Sequence, residues 1–162
     1  MSGLLVEVLQ GLAIAIVGGV VVAIYRGWLS AQRSVALQRG RQITFDAGLR
    51  ANLSPYPQRW RTGWLTTGAG PPAWKPRFGL VRRTVPLPLS ATVDQVRQPS
   101  GVKERFFFFN VEYRVIVARA GDVNLEIAIP LDDLLVALQA LASGPGGGWR
   151  IRAEDLEPGD ED

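Results

Sequence analysis

LLVEVLQGLAIAIVGGVVVAIY, Leu4 to Tyr25, decides how every later segment is read, because it fixes the solvent on either side of it. From Val8 to Tyr25 there is no charged residue. A helix of about 20 residues, rising about 1.5 Å per residue, covers a hydrocarbon core of roughly 30 Å. Ten of these positions are Val, Leu or Ile, each favourable by roughly 0.3 to 0.6 kcal/mol at the bilayer centre. Together they outweigh three glycines and Gln10. Glu7 reaches the headgroups at one end, and Tyr25 and Trp28 fit an aromatic belt at the other. A cleaved secretory signal fits less well: Met1 to Glu7 lacks Lys and Arg, the apolar run is too long, and no small-x-small site follows. The stretch is therefore expected to be a retained single-pass anchor.

Charge sets its direction. Arg26, Arg33, Arg39 and Arg41 crowd the C-terminal flank, and the positive-inside rule then places the N-terminus outside and the following domain in the cytoplasm, at the cell membrane. Within the span, Gly11, Ala15, Gly19 and Ala23 recur every four residues and form one small-residue stripe. Such stripes let helix backbones approach closely in a bilayer. The expected partners are thus membrane lipid and, through this stripe, a membrane protein or a second copy of the anchor.

Composition narrows the chemistry. The chain has no Cys and no His, so zinc sites of the usual kind, Cys-His nucleophiles and Ser-His-Asp triads cannot be built from it. No catalytic residue, metal ligand or cofactor is expected. The net charge of +3 conceals a basic body and an acidic end, since the last ten residues, AEDLEPGDED, hold six carboxylates.

Beyond the anchor the chain is expected to divide into a basic juxtamembrane segment (26–42), a β-rich domain with a closing helix (43–144) and a Gly-rich, acidic, disordered tail (145–162). RGWLSAQRSVALQRGRQ, Arg26 to Gln42, contains good helix formers and no Pro. It is read as a continuation of the anchor or a helix along the headgroups. ITFDAGLR follows with Ile43, Phe45, Ala47 and Leu49 on alternate positions, the mark of a half-buried strand. RWRTGWLT, Arg59 to Thr66, reads as a strand with Trp60 and Trp64 on one face. Pro76, Pro86 and Pro88 confine their segments to edge strands or irregular connections.

In RFFFFNVEYRVIV, Arg105 to Val117, the odd positions from Phe107 to Val117 predict one apolar face, with Asn110, Glu112 and Arg114 opposite. Ala118 to Asp122 turns the chain, and Val123, Leu125, Ile127 and Ile129 repeat the pattern. After Pro130, Asp132 and Asp133 are expected to cap a helix with Leu131, Leu134, Leu135, Leu138 and Leu141 on one stripe. Gly144 and Pro145 end it. The fold class implied is α+β: an N-terminal transmembrane helix, then a mostly antiparallel β domain of six or seven strands with one C-terminal amphipathic helix. A pleckstrin-homology-like split barrel is one such arrangement.

Four segments carry a resemblance: TFDAGLR at Thr44 to Arg50, RWRTGW at Arg59 to Trp64, WKPRFGLVRRTVPL at Trp74 to Leu87, and LEIAIPLDDLLVALQALASGPGG at Leu125 to Gly147. With the anchor and its Arg-rich flank they are similar to the small single-pass actinobacterial membrane proteins grouped as domain of unknown function 2550. The resemblance implies a membrane location and assigns no reaction, cofactor or catalytic residue.

One basic cluster stands out: Lys75, Arg77, Arg82 and Arg83, with Trp74 and Phe78 interleaved and Arg97, Lys103 and Arg105 candidates to join it. It is a candidate anion or headgroup contact. No nucleic-acid motif accompanies it, and nucleic acid is not expected as a partner. GPGGGWR, Gly144 to Arg150, lacks the Lys-Ser/Thr of a phosphate loop and follows a helix, so it reads as a linker. Glu112 and Glu126 are expected to pair across strands with Arg114. The sequence thus implies a non-enzymatic, membrane-tethered module that binds a protein partner or the membrane surface; the alternative is a sensor or carrier that holds a small anionic ligand on its Arg-rich surface.

Overall fold

The computed structural model describes residues 28, 31–79, 83–100, 104, 112–143 and 148–151. Among these, no helix is long and apolar enough to cross a membrane. Leu4 to Tyr25, with Gly11, Ala15, Gly19 and Ala23, lies outside the described residues, as do Arg82, Lys103, Arg105 and Phe106 to Phe109.

A helical stretch, 31–38 (α1), leads into a curled mixed sheet shaped as a half-barrel. Its strands are β1 (Ile43–Ala51), β2 (Arg61–Thr67), β3 (Ala73–Pro76), β4 (Val85–Pro86), β5 (Ser90–Arg97), β6 (Tyr113–Ala120), β7 (Val123–Pro130) and β8 (Gly148–Arg150). The spatial order is β4-β3-β2-β1-β7-β6-β5-β8. Two antiparallel meanders, β1 to β4 and β5 to β7, join along β1 and β7, and β5 with β8 is parallel. A 3-10 turn, Leu131–Asp133, and the helix Leu134–Ser143 (α2) follow β7.

Alternation along β1 explains the core. Ile43, Phe45, Ala47 and Leu49 are buried, while Thr44 and Asp46 face solvent. Cross-strand register extends the same face through Leu49, Ile127, Ile116 and Val96, and through Ala51, Leu125, Ala118 and Val93. Burying each large side chain here contributes roughly 1.5 to 3 kcal/mol. α2 closes this face with Leu134, Val136, Ala137, Leu138, Ala140 and Leu141, and the Thr67 hydroxyl donates to the Ala140 carbonyl at 3.3 Å. The β6–β7 hairpin turns in two residues, Ala120 pairing Val123, with Gly121 at φ +60° in the first central position, where hairpin turns require positive φ.

Several sequence expectations are corrected. The odd residues of β6 do not face the core: Ile116 and Ala118 do, and Val115 instead joins Ala128, Trp60, Tyr113 and Val117 in a small cluster on the outer face. The reason is register, since Ile116 lies directly opposite Ile127 and paired residues share a side. In the closing helix, Leu135 is 72 % exposed and Leu131 lies in the 3-10 turn, because the helical phase begins only at Leu134. The supposed tail contributes a strand: Trp149 is buried and its indole N–H donates to the Pro88 carbonyl at 2.9 Å. The folded body therefore extends past Ser143 to β8. Among the described residues eight strands stand where six or seven were expected.

The basic segment 26–42 is helical over 31–38, as its composition implied, and packs on the β domain. α1 packs on the core through Ala36 and Leu37, and Arg33 pairs with Asp133 while its guanidinium lies 5.3 Å from the centroid of the Phe45 ring. It is part of the domain.

Candidate functional site

The sheet separates the basic residues that proximity in sequence suggested would cluster. Asp46, Trp64 and Lys75 lie side by side across β1, β2 and β3, so Lys75 belongs to the outer face. Arg77 joins it there, stacking 5.2 Å from the Trp64 centroid and pairing with Asp46, which compensates its charge. Arg83 faces a different space. Arg97 belongs to neither group.

That different space is a cleft of about 810 Å³ between the β1–β2 connection and the β3–β4 edge. Ser54 to Arg59 form one wall, and Trp74, Pro76 and Arg83 to Pro86 form the other, with Arg61 at the start of β2. Arg59, Arg61 and Arg83 are exposed, and none pairs with a carboxylate among the described residues. Among the described residues no Asp or Glu lines the cleft. Burial pushes the Tyr56 phenol up from its ordinary value, so it keeps its proton. Pro55, Pro57, Pro76 and Pro86 give the walls apolar rings without N–H groups.

The cleft was partly legible. The alternation that places Trp60 and Trp64 on one face places Arg59, Arg61 and Leu65 on the other, but only the β3–β4 hairpin brings Arg83 beside them.

On the outer face, a second charged group organises the sheet centre. Glu104 is 6 % exposed and accepts from both terminal nitrogens of Arg97 at 2.8 and 3.1 Å, from the Ser100 N–H at 2.7 Å and from Trp60 Nε1 at 3.3 Å. Arg50 Nη2 reaches it at 3.3 Å and stacks on Trp60 with 4.9 Å to the centroid. Glu126, directly across from Arg50 in β7, bridges Arg50 at 2.6 Å and Arg97 at 2.9 Å. Burial pushes the Glu104 carboxyl up, but the Arg97 and Ser100 hydrogen bonds, the Arg97 charge and the Trp60 N–H outweigh it and hold the pKa at about 2. The Arg97 guanidinium is raised, first by its hydrogen bond to Glu104, against the opposing effect of burial. A carboxylate so stabilised is a poor proton acceptor near neutrality. Of the two carboxylates expected to pair with Arg114 across strands, Glu112 pairs with it at 3.0 Å from two residues earlier in the chain, while Glu126 is held by Arg50 and Arg97.

Asp133, expected to cap a helix, is buried and held by Arg33; the turn it ends has Pro130 at its N-cap and no side-chain capping bond. The opposite side of α1 carries another feature. Trp28 and Val35 are 55 % and 44 % exposed, and Arg39 and Arg41 are exposed beside them. Trp28, Ala31, Val35, Arg39 and Arg41 line one shallow surface hollow. Among the described residues there is no group of three His, Cys, Asp or Glu placed to hold a metal ion. No family model, curated protein or solved structure matches the chain.

Proposed function

We propose that the chain is a non-enzymatic, membrane-tethered module whose first helix is held between the leaflet surface and the β domain. The observation that carries this reading is the two-sidedness of α1. Arg33, Ala36 and Leu37 engage the domain, while Trp28, Val35, Arg39 and Arg41 remain exposed. An aromatic, an aliphatic and two cations at the end of an apolar stretch suit the interface of an anionic leaflet, where each Arg contributes about 1 kcal/mol. The anchor in this reading is Leu4 to Tyr25, with the domain on the cytoplasmic side of the cell membrane. The stripe Gly11, Ala15, Gly19 and Ala23 is its packing face toward a membrane protein or a second anchor.

The same proposal includes the pleckstrin-homology-like split barrel, supported by two meanders closed by a C-terminal helix, and membership of the domain of unknown function 2550 family, supported by the four segments named above. An absence of His and Cys from the whole sequence favours binding over catalysis.

Fractionation tests the tether. The intact chain is expected to stay with membranes through alkaline carbonate washing, and protease added outside should leave the β domain whole. Recovery of the intact chain in the aqueous fraction would sink the reading. Replacing Trp28 and Val35 with Glu should leave the chain membrane-bound while exposing position 39, carrying a spin label, to water-soluble relaxation agents.

A further inference from the structure

The two core tryptophans differ in one respect. The Trp149 N–H donates to Pro88, whereas Trp74, 2 % exposed, has an Nε1 with no acceptor among the described residues. Leaving a buried donor unpaired costs about 1 to 3 kcal/mol, and a fold tolerates that where a ligand supplies the acceptor. Trp74 is a wall of the arginine cleft. Its six-membered ring is wedged over Gly63, where an added Cβ would come within 2.7 Å of Cε2, so the indole is fixed in place.

We propose that the cleft formed by Arg59, Arg61, Arg83, Tyr56 and Trp74 binds a phosphate-class oxyanion carrying more than one negative charge. Three guanidinium forks match phosphate oxygens bidentately. The phenol and the indole are donors too, and among the described residues no carboxylate lies in the lining to repel the ligand. A volume of about 810 Å³ exceeds what a diphosphate fills, and the proline rings offer the remainder to an apolar or planar body. The same chemistry belongs to a soluble phosphate ester and to a phospholipid headgroup. Position favours the soluble form: Arg61 is paired with Leu49, six residues from the start of β1, about 20 Å along the strand from where α1 enters. That separation exceeds the Debye length of about 8 Å at physiological salt. The site itself is independent of the tether reading; the choice of a soluble ester over a headgroup rests on it.

The test uses the full-length chain in an uncharged detergent with pyrophosphate as probe. Binding is expected with a Kd of about 1 mM or tighter at low salt, weakening as salt rises. R59A with R83A should weaken it about tenfold or more. Trp74→Phe removes the N–H together with part of the indole; it should weaken binding by the folded variant roughly three- to tenfold, and it should lower the ligand-free unfolding midpoint through the space the smaller ring leaves. Reconstitution into phosphatidylcholine vesicles with and without phosphatidylglycerol separates the sources. Pyrophosphate binding retained in both assigns the cleft to a soluble ester; competition by phosphatidylglycerol, abolished by R59A with R83A, assigns it to a headgroup. Absence of pyrophosphate binding, or binding indifferent to both the arginine pair and Trp74→Phe, overturns the proposal.

Discussion

Arg33 on the first helix donates to the buried carboxylate of Asp133, 100 residues further along, at the entrance to the closing helix. The pair closes the domain, tying the segment after the apolar stretch to the last helix. Removing Arg33 leaves Asp133 without its cation in a site 10 % exposed. Arg33→Ala is expected to destabilise the domain by about 2 kcal/mol, less than a fully buried pair because Arg33 itself reaches water. Denaturant unfolding of the full-length chain in detergent, run as a cycle with Asp133→Ala, measures it. Additive effects of the two changes would count against a direct coupling.

The Glu104 carboxylate makes a pH prediction. Its folded pKa of about 2 lies below the ordinary value of 4.5, so the unfolded chain binds the proton more readily. The stability contributed is complete above about pH 4.5 and is lost as pH falls toward 2. It is on the order of 2 kcal/mol. Unfolding midpoints measured down this range should fall, and Glu104→Gln should remove that part of the slope while lowering stability at neutral pH. An unchanged slope in the variant would show that other carboxylates carry the acid response.

Gly63 and Gly70 should respond in opposite ways to Ala. A Cβ at Gly63 would lie 2.2 Å from the Lys75 carbonyl oxygen and 2.7 Å from the Trp74 ring, whereas at Gly70 it meets nothing within 4 Å. Gly63→Ala forces β2 and β3 apart and is expected to cost about 3 kcal/mol or more. Gly70→Ala should be within about 0.5 kcal/mol of neutral. Thermal unfolding of both variants checks the contrast; equal tolerance would mean that β3 is not packed over Gly63.

Trp149 tests where the folded body ends. Trp149→Ala empties a site 3 % exposed and should destabilise by about 3 to 5 kcal/mol. Were the segment a tail outside the fold, the same change would be silent.

Much of this was written locally. Period-two alternation marked β1, and Leu125, Ile127 and Ile129 fell on the buried face as the pattern implied. Gly121 marked the hairpin turn. β6 was misread because it is apolar on both faces, with Val115 and Ile116 both buried; alternation then gives two equal answers, and pairing with β7 selects one. Trp149 was hidden among glycines because a three-residue strand has no period to detect. The described members of the basic cluster are divided for the same kind of reason. Lys75 and Arg77 share a run with Arg83, yet the strand directs them to the face opposite the cleft.

The sequence by itself determined which residues alternate, which segments Pro and Gly confine to turns and edges, and that chemistry requiring His or Cys is closed to this chain, because these follow from side-chain type and nearest-neighbour geometry. Only the tertiary structure decided that Arg33 answers Asp133, that Glu104 gathers Arg50 and Arg97, and that Arg59, Arg61 and Arg83 line one cleft beside an unpaired Trp74 N–H. Those relations depend on register and curl of the sheet, which are set by the packing of distant segments and leave no mark within any one of them.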